Sequence, residues 1–315
     1  MPFDFAAVSA PFRMQPGLRR ITPGALQLTP NRLGSAALRE KLTALQNHAP
    51  QALLSARGFD PAPALGALIR QAAAEHPSQF AWDGDSALAS TALGWRIRGN
   101  TLDGEGPAEI GTCLRALPDA WRLTGLLSLA LAEDFAVIDG ATARIPWLAV
   151  CLPSRWAPEE KVGRHFAEVH APVADNRVLV TAAEHLARLV TGTDRWERFV
   201  WSIGSEPGLM QHPRHVPPTA WPASLDASAL AACASFRTEH QTFIPLPEAR
   251  QAVFTIHVES RPLTTAIDSA AQARQLHDAL ASMSDAVLAY RGLTDARERL
   301  LGWLAVRAQA NEPAA

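Results

Sequence analysis

The sequence predicts an α+β fold: an antiparallel sheet with helices packed on it. Three observations carry this. Hairpin-like strand pairs occur in the middle and late parts of the chain. Segments with helically spaced apolar residues stand before, between and after them. No repeated strand–helix–strand rhythm, the mark of a parallel sheet, runs through the 315 residues.

Taken in order, residues 1–34 are rich in proline and glycine and read as an extended arm. Two helices at 35–46 and 63–75 form an N-terminal helical extension; Leu65, Leu68 and Ile69 fall at helical spacing, and Pro77 stops the second helix. Residues 81–117 hold many glycines and short apolar runs, and read as strands with turns at Asp83-Gly84 and Asp103-Gly104. A leucine-rich helix follows at 119–134. Residues 135–138 and 145–150 flank an Asp139-Gly140 turn, a hairpin signal in which Pro146 requires an edge or a bulge. Pro158, Glu159 and Glu160 suit a helix's first turn, where proline loses nothing and carboxylates meet the dipole. That helix is expected to run to about His170, because Pro172 disfavours helical geometry at Ala171. Beyond it come a helix at 181–190, strands at 197–203, 233–243 and 252–258, helices at 265–282 and 294–308, and a frayed tail at 308–315. With no internal repeat and no linker, residues 1–315 read as a single domain.

Composition narrows the function. The chain is 48% hydrophobic and 19% charged, enough to bury a sizeable core. Lys and Arg number 29 against 31 Asp and Glu, so no global basic field exists to hold a polyanion, and nucleic acid is not expected as a partner. Cys113, Cys151 and Cys233 form no CxxC pair and fit reduced thiols. No basic segment followed by an apolar run opens the chain, and its most apolar stretch, 123–131, is too short to span a bilayer. A cytoplasmic protein without a membrane partner is the expectation. There is no GxxxxGK[ST] loop, GxGxxG, HExxH or GxSxG. His212 and His215 have a spacing a metal could use, but a lone HxxH in a proline-rich loop is a weak zinc signal.

Two segments could carry chemistry. In the strand at 233–243, side chains alternate faces, so Arg237, Glu239 and Gln241 share one and Phe236, Thr238 and His240 the other. Such a polar row is either an edge strand in water or the wall of a cavity, in which Arg237 meets a carboxylate and Glu239 with Gln241 positions a polar or cationic substrate. The second segment ends at His170. A neutral imidazole at a helix terminus can ligate iron, its other nitrogen held by an acceptor; it can equally serve only to complete the helix end.

Linked pieces then add a resemblance. Ala132-Glu133-Asp134-Phe135 is followed by the run Cys151-Leu152-Pro153-Ser154-Arg155-Trp156-Ala157-Pro158 with Glu159 to Gly163, and by Val169-His170-Ala171-Pro172-Val173. Arg237-Thr238-Glu239-His240-Gln241-Thr242-Phe243, Leu246-Pro247 and Val253-Phe254-Thr255-Ile256-His257 come later, and Pro11-Phe12-Arg13-Met14 with Gly17-Leu18 earlier. In order and spacing, over about residues 10–305, this resembles the haem-dependent oxidative N-demethylase family, alpha (oxygenase) subunit. The resemblance implies a PAS-like antiparallel sheet binding haem b. It also implies a monooxygenase that demethylates a small, dimethylamine-like secondary amine with O2, releasing formaldehyde, and draws electrons from a separate NAD(P)H-dependent reductase. On it, His170 is the axial ligand to haem iron, Arg237 meets a haem propionate, and Glu239 with Gln241 faces substrate or dioxygen. A carboxylate suits an amine substrate, since a protonated alkylamine entering a low-dielectric pocket needs an anion to meet it. The separate reductase fits a chain with neither a dinucleotide-binding fingerprint nor an iron–sulfur cysteine set. The family usually has proline at Ala174, asparagine at Val200, arginine at His240 and a basic pair at Ile244 and Pro245. A haem-binding PAS-like sensor and a non-catalytic scaffold relative are the alternative readings.

Overall fold

The computed structural model describes residues 3–84 and 87–309; the end of the expected frayed tail, from residue 310, and the first two residues of the arm lie outside the described residues. The arm carries a two-residue strand, β1 (Arg19–Arg20). Ser35 caps α1 (Ala36–Ala52), its hydroxyl accepting from Leu38 N at 3.2 Å. β2 (Leu53–Ser55) and α2 (Ala62–Glu75) follow. A small antiparallel sheet is then built from β3 (Phe80–Trp82), β4 (Ala87–Ser90), β5 (Trp95–Arg98) and β6 (Thr101–Gly104). After α3 (Ala108–Ala116) and α4 (Asp119–Ala130) comes the hairpin of β7 (Asp134–Asp139) and β8 (Arg144–Ala149). Three short helices, α5 (Phe166–His170), α6 (Arg177–Thr181) and α7 (Ala183–Val190), lead to β9 (Trp196–Gly204). α8 (Ala227–Cys233) precedes a long hairpin, β10 (Ser235–Leu246) and β11 (Gln251–Pro262). α9 (Leu263–Ala266), α10 (Ala270–Ala281), α11 (Asp285–Tyr290) and α12 (Arg297–Gln309) complete the described chain.

The main sheet has seven strands in the order β1-β9-β10-β11-β7-β8-β2, every neighbouring pair antiparallel. The α+β class is therefore as predicted. Pro146 sits where the register between β7 and β8 slips by one residue, so it removes no regular rung. Asp139 tightens that hairpin, its Oδ1 accepting from Ala141 N at 2.8 Å and Thr142 N at 3.0 Å.

Several expectations need correction: the helix expected at 265–282 is two, α9 and α10, and Cys233 ends α8 while the strand begins at Ser235. Asp103-Gly104 is no turn: it ends β6, and the two-residue turn is Gly99-Asn100, with Gly99 at φ +55°. The strand-rich reading of 81–117 missed α3, whose helical signal is weakened by Gly111. Glycine is required there because a Cβ would lie 2.3 Å from the Trp95 ring. The continuous helix expected from Pro158 to His170 is broken into a single 3-10 turn, Pro158–Glu160, and α5. Between them Gly163 adopts φ +73°, and the chain zips onto the start of β8 through Gly163 N to Ile145 O at 2.7 Å and Ile145 N to Arg164 O at 3.0 Å. Ladder bonds with a distant segment outcompete the local helix. Finally, α5 does end at His170, but Ala171 keeps right-handed helical angles despite Pro172.

Three apolar clusters flank the main sheet. One lies under α1, α2, α4 and the small sheet; a second joins α8, α10 and α12 to the arm; the third lines the inner side of α7 against β7 and β8. Lys41, fully buried in α1, donates to the carbonyls of Leu131 (3.1 Å) and Glu133 (2.5 Å) and sits 3.1 Å from Asp134 Oδ1. Asp134 Oδ2 in turn accepts from Leu152 N at 2.6 Å, which fixes the chain leaving β8. Among the described residues no helix is long and apolar enough to cross a membrane.

Candidate functional site

A cavity of about 390 Å³ opens on one face of the main sheet, within the range of about 300–1,000 Å³ usual for small-molecule sites. Strands β7 to β11 form its floor. Its cover comes from α5, α6 and α7, from Met14, Pro16 and Leu18 of the arm, and from Tyr290 and Arg291 at the end of α11. Most of the wall is apolar, with Ile138, Leu148, Phe243, Phe254 and Ile256 among its residues.

Arg237, Glu239 and Gln241 all line this cavity. β10 is paired along its length, to β11 on one side and to β9 on the other, so it is a central strand and the edge-strand alternative falls. Alternation places His240 on the opposite face, where its Nε2 lies 2.7 Å from Glu197 and its ring stacks on Phe199 at 4.5 Å.

The three polar side chains are wired together. Arg237, 4% exposed, donates from Nε to Ser154 Oγ at 2.8 Å. The Ser154 hydroxyl donates to Glu239 Oε1, and Gln241 Nε2 donates to Glu239 Oε2 at 2.5 Å. Arg237 also bonds the carbonyls of Gly208 (3.1 Å), Leu152 (3.1 Å) and Leu209 (2.8 Å). Four of its five N–H groups are thus engaged by protein, which leaves no two-pronged fork for a ligand carboxylate. Burial draws its pKa down to about 10. Ser154, which holds Glu239, lies in the Cys151–Gly163 run but was not singled out from sequence.

His170 enters from the cover. Its Nδ1 lies 2.8 Å from Phe166 O, and a carbonyl only accepts, so Nδ1 carries the hydrogen. Nε2 then keeps its lone pair, and among the described residues it has no hydrogen-bond partner. Burial holds the imidazole's pKa down to about 4, with the Phe166 carbonyl opposing and the charges of Arg198 and Lys161 adding to the effect. The ring is neutral at physiological pH and packs against Phe166 at 4.1 Å. The site therefore joins a neutral imidazole with an open nitrogen to a carboxylate held on two sides.

The HPRH pair lies elsewhere. His212 Nε2 bonds Glu159 at 3.0 Å, and His215 bonds Gln51 at 2.6 Å while stacking on His48 at 3.7 Å. Among the described residues no group of three or more His, Cys, Asp or Glu is arranged to hold a metal ion. Sequence reasoning missed Arg198, which sits on β9 opposite Gln241 and lines the cavity. Its neighbour Glu197 is charged too, so alternation alone could not tell which of the two faces inward.

Fold and site together define an α+β protein with a sheet-floored cavity that combines an apolar wall, a neutral histidine and a fixed carboxylate. Comparison with known families makes this specific. Residues 35–301 match the family described as haem-dependent oxidative N-demethylase, alpha subunit-like, and the chain belongs to that family.

Proposed function

We propose that this chain is the haem-b-binding oxygenase subunit of an oxidative N-demethylase acting on a small secondary amine. The observation that carries the reading is His170, whose Nδ1 is fixed by Phe166 O and whose Nε2 opens onto a largely apolar cavity. The residues present fit haem: a neutral imidazole to ligate iron, apolar walls for a macrocycle, and a buried guanidinium nitrogen, Arg198 Nε, that no protein acceptor satisfies. No Cys-x-x-Cys-His occurs in the sequence, which favours non-covalent haem. A PAS-like fold is supported by strand order: taking β7, β8, β9, β10 and β11 as one to five, the sheet runs 2-1-5-4-3.

When bound, haem supplies the dioxygen chemistry. Overall, a secondary methylamine, O2, two electrons and two protons give the primary amine, formaldehyde and water. His170 holds the group in place. Glu239, positioned by Ser154 and Gln241, meets an N–H of the protonated amine and accepts its proton, leaving the nitrogen lone pair free. Arg237 acts through Ser154, orienting Glu239 rather than touching substrate. The cover of α5 to α7 excludes water from the walls.

The test is an absorption spectrum of the purified protein as isolated, after haem addition and after dithionite. A Soret band that is lost in His170→Ala is the expected result. No band after haem addition would overturn the assignment and leave a scaffold role as the better account.

A further inference from the structure

Five cationic side chains line the cavity, and four have protein partners. Arg155 pairs with Glu206, Arg237 has four acceptors, Arg291 donates to Trp201 O at 2.7 Å, and Lys161 donates to Val169 O at 3.2 Å. Arg198 differs: among the described residues its side chain has no hydrogen bond and no ion pair, and its Nε is sealed from solvent. Its register opposite Gln241 puts it on the cavity face of β9, beside Val200 and Ser202.

A guanidinium nitrogen withdrawn from water without an acceptor is costly, because its hydration is lost and nothing replaces it. Glu239 acts on Arg198 electrostatically but makes no hydrogen bond or ion pair with it; its oxygens accept from Ser154 and Gln241. The guanidinium is thus left open to an anion from outside the protein. Arg198, Lys161 and His170 line the same cavity. Lys161 donates to a carbonyl, Val169 O, and feels the charge of Glu160.

We infer that Arg198, seconded by Lys161, anchors a carboxylate of the cavity's ligand, which is therefore a largely apolar molecule with an acidic edge. Resting on the haem reading above, this carboxylate is a propionate, and the pairing expected of Arg237 passes to Arg198. Guanidinium geometry suits the task, since a carboxylate takes two parallel N–H bonds from one fork.

The experiment titrates wild type, Arg198→Gln and Arg198→Lys with protohaem and with its dimethyl ester, whose propionates carry no charge, following the Soret band. Loss of a charge-assisted pair should weaken protohaem binding by roughly tenfold or more in Arg198→Gln and change the ester by less than about twofold, with partial recovery in Arg198→Lys. Equal weakening of both ligands would mean that Arg198 only shapes the wall or balances Glu239, and the inference would fall. If wild type binds neither, the haem reading fails and the anchor is tested separately. Anilinonaphthalene sulfonate and the uncharged N-phenyl-naphthylamine are then compared by fluorescence. Selective loss of the sulfonate in Arg198→Gln upholds an anion anchor without haem, and equal responses overturn it. Matching thermal transitions of the three proteins establish that each is folded.

Discussion

At the scale of single residues, the site depends on two side chains in opposite electrical situations. His170 is kept neutral by burial, with a pKa of about 4 against an ordinary 6.5. Between these values the unfolded chain binds a proton that the folded protein refuses. Stability present above about pH 6.5 is therefore lost as pH falls toward 4, on the order of 3 kcal/mol from this residue. Denaturant titrations of the haem-free protein at pH 7 and pH 4.5 should show the drop, and His170→Ala should show a smaller one. Glu239 is instead held where a charge is useful, between the Ser154 hydroxyl and the Gln241 amide. Glu239→Gln is expected to keep the Soret band but to lower amine-dependent O2 uptake by roughly 10²-fold or more, the usual yield of a positioned base. Unchanged turnover would remove Glu239 from the mechanism.

At the scale of elements, a long strand supplies the polar row and short pieces close over it. Along residues 12–18 of the arm, Phe12, Met14, Pro16 and Leu18 are part-buried while Arg13, Gln15 and Gly17 are exposed, an alternation that turns three side chains into the cavity. The segment is pinned at both ends. Phe12 N donates to Ser282 Oγ at 2.9 Å, and Arg19 pairs with Glu197 at 2.9 Å. The β7–β8 turn supports the opposite wall through a close approach: a Cβ on Gly140 would lie 2.0 Å from Thr191 Oγ1, just beyond α7. Gly140→Ala should therefore cost about 1–3 kcal/mol, visible as a lowered melting temperature, because turn or helix end must shift. A variant as stable as wild type would show that this contact relaxes freely.

At the scale of the whole molecule, the proposed N-demethylation needs two electrons, proposed to come from a separate reductase. Its three cysteines are free, Cys113 and Cys151 buried and Cys233 exposed, and burial pushes the Cys113 thiol up to about 11. The sequence carries no dinucleotide fingerprint. Haem-loaded protein with dimethylamine and NADPH should therefore oxidise no NADPH until a separate reductase is added. Consumption by the chain alone would contradict the subunit reading.

The sequence by itself determined the α+β class, the β7–β8 hairpin with its proline at an edge or a bulge, and the sharing of one side of β10 by Arg237, Glu239 and Gln241. Each follows from local rules: alternation along a strand, turn chemistry, and the lost N–H of proline. It also placed His170 at the end of a helix. Only the tertiary structure decided that β10 is central, that 163–166 zips onto β8 instead of continuing a helix, and that Arg237 is spent on protein carbonyls while Arg198 is left open. These outcomes depend on which distant segments supply hydrogen-bond partners. A buried polar group is satisfied by whatever neighbour the fold brings, and no local period in the chain encodes that neighbour.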